Sequence, residues 1–387
     1  MVDTLHVDLE KCCGCASCVQ ICPKAAISFV EDDEGFGYPV VNSDLCVQCG
    51  LCTRRCPIGK SGSLPASRIS CYAAKNSDVA SLEKSSSGAV FPALAKCIIN
   101  QGGVVFGAAY DGDFSVTHRF IDKIENIPLL CGSKYVQSDI GSSFRDAKSF
   151  LQKGLYVLFV GTPCQIAGLK SFLGKDYANL YTVDFICHGV PSPAVWRDYL
   201  QELAHKFNSS IASVSFRNKD NGWKNYRMKV GFANQIEYSI IHYNDPFMKG
   251  FLHNFYLRKS CHNCQFKSNN SGSDLTLGDY WRVRSDKPKF YSHMGVSVAL
   301  AKSEKGEALL RIAGLDLLAV DYSQVLRSNP SLEKATQCPE NRNLFWNVYH
   351  NSKTVSETMN NLVSDENRGR SLKSLIGDLL YYIRYSL

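Results

Sequence analysis

Two runs of cysteines carry most of the chemistry this sequence can do. Cys12, Cys15, Cys18 and Cys22-Pro23 are spaced by two, two and three residues, and the same spacing recurs in Cys46, Cys49, Cys52 and Cys56-Pro57. This is the ligand pattern of paired 4Fe-4S clusters, in which three thiolates of a run hold one cluster and the fourth crosses to the other. The spacing assigns Cys12, Cys15, Cys18 and Cys56 to one cluster and Cys46, Cys49, Cys52 and Cys22 to the second. Two-residue gaps let a tight loop wrap three iron corners while backbone N–H groups face the sulfurs and tune the potential. A zinc ribbon also uses four cysteines, but two identical runs of this kind favour iron. Cys13, an extra thiol beside a ligand, reads as a bystander.

A second constellation lies around Gly161-Thr162-Pro163-Cys164-Gln165. Residues 155–160 are an apolar run with strand character, and a Gly and a Pro break it before a helix-like stretch at 165–172. The next apolar run, 180–186, ends in Cys187-His188-Gly189. A right-handed crossover between the two strands would bring Cys164 and Cys187 to the same sheet edge, where open parallel sheets bind ligands. Cys261 and Cys264 bring the set to four. Tetrahedral zinc fits these four by spacing about as well as iron and sulfur, and the neighbouring repeat favours a third 4Fe-4S cluster. Arg258 and Lys259 would face that anionic centre. His188 and His262, beside proposed ligands, read as hydrogen-bonded to backbone. Cys71, Cys97, Cys131 and Cys338 stand singly and read as packing.

The elements that must position these groups follow from pattern. Residues 25–41 alternate around Gly35 and Gly37 as a small hairpin, and 59–67 are rich in Gly, Ser and Pro, as a linker is. A strand at 69–74 leads to Ser85-Ser86-Ser87-Gly88 and an amphipathic helix at 89–99. The serines either cap that helix or hold a phosphate or ring oxygen at its positive end. Stretches 104–110 and 115–121 form a hairpin across Asp111-Gly112-Asp113. The polar loop 132–138 is either solvated or lies against a flavin, with Lys134 placing positive charge near the ring oxygens. Ser192-Pro193 opens a helix whose apolar face carries Val195, Trp196, Tyr199, Leu200, Leu203 and Phe207. Strands at 211–216, 226–232 and 236–241, an aromatic helix at 246–257 and a strand at 275–278 follow. The last stretch, 372–387, is amphipathic and reads as a docked helix or a surface for a membrane or partner.

Composition limits the function classes. In 387 residues, 45% hydrophobic and 20% charged is ordinary for a globular protein, whereas seventeen cysteines are not. No apolar run approaches the roughly 18 residues of a membrane span, and no secretory leader pattern precedes the first Cys. The expectation is a cytoplasmic protein whose thiols serve metal or redox chemistry rather than disulfides. The net charge of +7 suggests nucleic acid at first sight, but three clusters at about −2 each would offset about six of those charges. With no Lys/Arg block, nucleic acid is not an expected partner. No Gly-x-Gly-x-x-Gly follows a strand, so a Rossmann nicotinamide site is not expected either.

Taken together, Ser86-Ser87-Gly88, Gly102-Gly103-Val104-Val105-Phe106-Gly107, Ser133-Lys134-Tyr135-Val136-Gln137-Ser138, Gly161 to Gln165, Asp184 with Cys187-His188-Gly189, Cys261 and Cys264, and Gly278-Asp279-Tyr280-Trp281 resemble the coenzyme F420 hydrogenase/dehydrogenase β-subunit family, which includes 7-hydroxymethyl chlorophyll a reductase. The resemblance spans essentially the whole chain. It implies FAD beside the clusters, with Ser86, Ser87, Gly88, Lys134, Tyr135, Gln137, Ser138, Gly161, Thr162 and Pro163 as flavin contacts. It departs from hydrogenase β subunits in the fused N-terminal cysteine repeat. The expected architecture is α+β and α/β: a ferredoxin-like dicluster domain at 1–62, then a mixed α/β flavin and iron–sulfur domain without a Rossmann motif. That second unit is divided as 63–160 and 161–345, with a helical tail at 346–387. The expected activity is that of a ferredoxin-linked, FAD-dependent oxidoreductase. It would relay electrons from ferredoxin or another low-potential donor through three 4Fe-4S clusters to a small organic substrate, deazaflavin-like or an unsaturated ring. The alternative is an electron-transfer adapter for a partner subunit, with no substrate of its own.

Overall fold

The computed structural model describes residues 8–369 except 61, 63 and 353. The amphipathic stretch 372–387 lies outside the described residues. At the N-terminus, β1 (Ile27–Glu31) and β2 (Gly37–Val41) pair antiparallel, Ile27 opposite Val41. Asp32 closes their turn by accepting the N–H groups of Glu34 and Phe36, and Gly35 supplies the left-handed backbone there, φ 80°. Two short helices, Ser17–Ile21 and Leu51–Arg54, occupy matching positions in the two cysteine runs.

Beyond residue 69 the chain builds two sheets. The strands are β3 (Ser70–Asn76), β4 (Val104–Tyr110), β5 (Val116–Ile121), β6 (Val157–Gly161), β7 (Leu180–Phe185), β8 (Ile211–Asn218), β9 (Arg227–Phe232), β10 (Glu237–Ile241), β11 (Leu275–Asp279), β12 (Ser297–Ala301) and β13 (Leu315–Ala319). Eight of them form one sheet in the order β13-β3-β12-β11-β7-β6-β4-β5. Its middle, β11-β7-β6-β4, is parallel, and the flanking pairs are antiparallel. The parallel centre explains the unbroken apolar runs: Val157, Leu158 and Phe159 are each wholly buried, as strands covered on both faces must be. A smaller antiparallel sheet, β10-β9-β8, shares the largest core with the Pro193–Lys206 helix, around Trp196, Tyr199 and Phe247.

Helix ends follow the expected chemistry in places and depart from it in others. Ser192 caps the Pro193–Lys206 helix by accepting the N–H of Val195. Thr162 and Gln165 form a reciprocal capping box on the Pro163–Leu173 helix. The aromatic helix starting at Pro246 ends at Leu252 rather than 257. Asn254 turns left-handed there, φ 66°, which lets Phe255, Tyr256 and Leu257 bury in an extended path. Capping by the serine run is not what the structure contains: Ala89 stands at the N-cap of the Val90–Asn100 helix, φ 56°, with no side-chain cap.

The N-terminal unit is seated deeply on the rest. Gln20 accepts the N–H groups of Phe144 and Arg145. Ser192 donates to the Glu34 carbonyl, and Arg342 grips the Glu34 carboxylate with both terminal nitrogens. The Pro163–Leu173 helix comes so close that a Cβ on Gly168 would lie 2.7 Å from that of Cys15, which only glycine permits. Whatever the composition of 59–67, the two units meet through buried polar contacts.

Candidate functional site: three thiol sets and a polar cavity

The two cysteine runs share an unusual backbone. Residues two and four after the first cysteine are left-handed in both: Gly14 (φ 67°) and Ala16 (φ 61°), then Gln48 (φ 51°) and Gly50 (φ 67°). Such turns aim successive N–H groups into one concavity, a favourable surround for an anion. Cys22 of the first run lines the same small cavity as Cys46, Cys49 and Cys52 of the second. Cys12, Cys18 and Cys56 are electrostatic neighbours, and burial, with those thiols beside it, pushes the Cys18 thiol up to about 12. Cys15 is turned toward Cys13.

Cys164, Cys187, Cys261 and Cys264 line a single cavity. Cys164 stands in the first turn of the Pro163–Leu173 helix and Cys187 just past β7; the parallel β6/β7 pairing brings both to one sheet edge. The N–H of Val190 points at the Cys261 sulfur, 3.4 Å, and the Thr162 hydroxyl lies 3.0 Å from the Cys164 sulfur. Burial raises the thiols of Cys187 and Cys264, and takes Cys261 to about 12. A metal would have to displace those protons on binding. Among the described residues no three His, Cys, Asp or Glu side chains are drawn on to one point as a lone ion requires; the four thiols stand around the cavity wall. The wall is cationic. Lys267 ends on the carbonyls of Cys187 and Ser331, and Lys302 lies 3.7 Å from Asp184, each 2% exposed. Ser271 and Thr276 also donate to that carboxylate.

Several residues stand elsewhere than their sequence context suggests. Cys13, read as a bystander, is buried against both Cys15 and Cys164, between the first and third thiol sets. Cys338, read as packing, is exposed. His262 bonds a backbone carbonyl, that of Thr336, whereas His188 bonds the side chain of Asn254 at 2.6 Å. Lys259 lies 3.9 Å from Glu34. Arg258, expected to face the third set, is within electrostatic reach of Cys164 and Cys261, but its hydrogen bonds go to Cys12 of the first.

A third feature is a polar cavity of about 570 Å³, with Ser86 and Lys134 in its wall beside Ser85, Tyr110, Arg217 and Lys219. Three polar atoms here are buried with no hydrogen-bond partner among the described residues, Tyr110 OH and Arg217 Nε and Nη2, while Ser85 lies against the Cys131 thiol. Unsatisfied buried polar atoms are costly in a native fold, and the cavity wall beside them is largely polar and basic. Desolvation lowers both Lys134 and Lys219 to about 8. Loop 132–138 is half-buried rather than solvated, and Lys134 donates to the Cys131 carbonyl at 2.9 Å. The Ser86 hydroxyl accepts from the N–H of Ser133, which ties the two loops together.

Other residues expected to touch flavin do not line this cavity. Ser87 donates to the Val296 carbonyl and the Gly88 N–H to Ser297. Tyr135 sits among aromatic rings, and Gln137 bridges Cys13 and Arg258. Ser138 meets His118 and Gln165. Gly161 pairs with Asp184, Thr162 caps its helix, and Pro163 lines the four-thiol cavity. The sequence pattern passes over Arg217 and Lys219; charge on and just past a strand that also buries Phe216 is the signal that marks them. The two cavities are linked by ring contacts: His188 to Phe251 (5.2 Å between centroids), Phe251 to Tyr135 (4.8 Å), and Tyr135 to Phe216 (5.5 Å). His188 lines one cavity and Phe216 the other.

Comparison with known proteins bears on both units. Residues 11–60 match the 4Fe-4S dicluster domain family, and residues 155–317 match the family described as the C terminus of the coenzyme F420 hydrogenase/dehydrogenase beta subunit. Three uncharacterised ferredoxins of Methanocaldococcus jannaschii are similar to the N-terminal unit. They are 39% identical over 57 residues, 40% over 47 and 43% over 47, covering 15%, 12% and 12% of this chain. This chain spans 73% of the first but only 25% and 28% of the others. A chain in the solved structure of the F420-reducing NiFe hydrogenase complex from Methanosarcina barkeri is similar at 16% identity and a TM-score of 0.46, over 69% of this chain and 89% of that one. Among the described residues no helix is long and apolar enough to cross a membrane. With a 4Fe-4S dicluster domain at 11–60 and a match at 155–317 to the C terminus of the coenzyme F420 hydrogenase/dehydrogenase beta subunit, the chain is an iron–sulfur electron-transfer protein related to that β subunit.

Proposed function

We propose that this chain is a flavin-dependent oxidoreductase that moves electrons between a low-potential donor such as ferredoxin and a small organic substrate, deazaflavin-like or an unsaturated ring. In this reading Cys12, Cys15, Cys18 and Cys56, then Cys46, Cys49, Cys52 and Cys22, hold the two N-terminal 4Fe-4S clusters. Cys164, Cys187, Cys261 and Cys264 hold a third, and the polar cavity holds FAD. A flavin there would supply conversion between single electrons and a hydride equivalent. The chain's own residues supply the rest. Ser85, Ser86 and Arg217 offer hydrogen bonds to a bound polar ligand, Lys134 and Lys219 offer positive charge, and Lys267 and Lys302 offset the charge of a thiolate-bound centre.

The observation that carries the reading is the juxtaposition of the four-thiol cavity with a polar, basic cavity, joined through His188, Phe251, Tyr135 and Phe216. The adjoining dicluster repeat favours iron and sulfur over zinc for these four thiols.

The test is composition. Anaerobically purified protein is denatured, released flavin is quantified by fluorescence, and iron and acid-labile sulfide are counted on the same sample. About one FAD and about twelve irons are expected, the content of three 4Fe-4S clusters. About eight irons with zinc would make the downstream set structural, and iron without flavin after reconstitution would leave an electron-transfer adapter.

A further inference from the structure

Arg258 is a cation buried where no carboxylate meets it. It is 1% exposed, and among the described residues no carboxylate lies within ion-pairing distance. Its Nε donates to the Cys12 carbonyl at 2.7 Å, Nη1 to Gln137 Oε1 at 3.0 Å and Nη2 to the Gly37 carbonyl at 3.0 Å, while Nη2 also lies 3.8 Å from the Cys12 sulfur. The guanidinium plane is held over Tyr38, 4.1 Å from the ring centre. Burying an uncompensated charge is strongly unfavourable. The missing counter-charge belongs where the fork points, at the first thiol set.

The two cysteine runs make an internal control. Their backbones are alike, yet the second left-handed turn carries Gln48, exposed, where the first carries Gly14, buried. A Cβ on Gly14 would lie 2.7 Å from Gln137 Nε2 and 2.9 Å from Arg258 Nη1. Glycine stands in the first run because the Arg258–Gln137 pair presses on it. That pair belongs to the downstream unit: the Arg258 carbonyl accepts the N–H of Cys261 at 2.9 Å, so one short segment touches the first thiol set with its side chain and the third with its backbone.

We infer that Arg258, held by Gln137, is the positioning cation of the first N-terminal 4Fe-4S centre and raises its reduction potential above that of its twin. The inference rests on the dicluster assignment of Cys12, Cys15, Cys18 and Cys56. Adding one electron from a one-electron donor makes a thiolate-bound centre more negative, from about −2 to about −3, with no proton required. Burial opposes that added charge and lowers the potential; a neighbouring cation and hydrogen bonds favour it and raise the potential. The first set is the more buried of the two, so without Arg258 it would be the harder to reduce. With Arg258, an electron entering at the exposed second set moves downhill to the first, beside Cys13 and Cys164.

The test uses the full chain, purified anaerobically, with iron counted before an electron paramagnetic resonance redox titration. Arg258→Gln removes the charge. Gln137→Glu, nearly isosteric, neutralises it in place and remains readable where the first variant fails to load iron. Each is expected to shift one dicluster potential downward by at least tenfold in the reduction equilibrium constant, about 59 mV for one electron, while the other potential stays put. Arg258→Lys, which keeps the charge, is expected to shift it less. Gln137→Glu with full iron and both potentials unchanged overturns the inference, as does an equal shift of both. A wild-type chain with no iron at the N-terminal cysteines would instead overturn the dicluster assignment, and this inference with it.

Discussion

The two cysteine runs have the same spacing, the same left-handed turns and the same following helix, and the fold treats them oppositely. In the first, Cys13 and Cys15 are buried and Arg258, Gln137 and the Pro163–Leu173 helix close over the loop. In the second, Cys49 is exposed, and Leu45 and Val47 stand half out at 51% and 56%. The second set thus has one thiol open to the outside, whereas the first has none and abuts the downstream unit. Sequence repetition made two similar sites; docking on one side gave them different surroundings, and surroundings set a redox centre's potential and accessibility.

The largest effect is expected from breaking the path beyond the sealed run. Cys164→Ala should remove about a third of the iron, four atoms in twelve. It should also slow flavin reduction by a reduced ferredoxin by at least about 100-fold, because even outer-shell changes at metal sites cost 10–100-fold. Undiminished flavin reduction in that variant would refute the relay.

A smaller loss is expected from loosening the seal itself. Arg342 and Glu34 pair with side chains 7% and 10% exposed, and removing one partner of such a buried pair costs about 3–5 kcal/mol. Arg342→Leu should lower the urea midpoint accordingly and open the N-terminal unit to proteolysis. A midpoint within error of the wild type would show that the seal does not depend on this pair.

The smallest effects test the comparison most directly, because they have opposite signs at matched positions. Gly14→Ala puts a side chain at φ 67° against Gln137, where the left-handed region alone costs about 1–2 kcal/mol. Gln48→Gly relieves the same strain at φ 51° at an exposed side chain, and should be neutral or stabilising by up to about 1 kcal/mol. Denaturant unfolding of both variants reads the difference; equal destabilisation would mean the two loops are held alike.

How much was legible follows the range of the interaction involved. The hairpin at 27–41, the strands flanking Cys164 and the helix after Ser192-Pro193 all announce themselves in local pattern, because alternation, turn residues and caps act over a few positions. The serine run misleads on the same grounds: its residues are ideal caps, yet contacts to Val296 and Ser133, far along the chain, claim their hydroxyls. Arg217 and Lys219 are silent in sequence because a charged residue at a strand's end looks solvated until a second loop closes over it.

The sequence by itself determined which thiols come in runs, their spacing and therefore the dicluster family, since ligand geometry is written in a few consecutive residues. The apolar runs of a parallel sheet and the lack of a dinucleotide fingerprint were equally local. Only the tertiary structure decided that Cys13 lies between two thiol sets, that the hydrogen bonds of Arg258 go to Cys12 rather than to the cysteines nearest it in sequence, and that one set has a thiol open to the outside while its twin has none. Those outcomes depend on contacts between segments more than 120 residues apart, and the charge balance of a buried group is a property of everything that surrounds it in space.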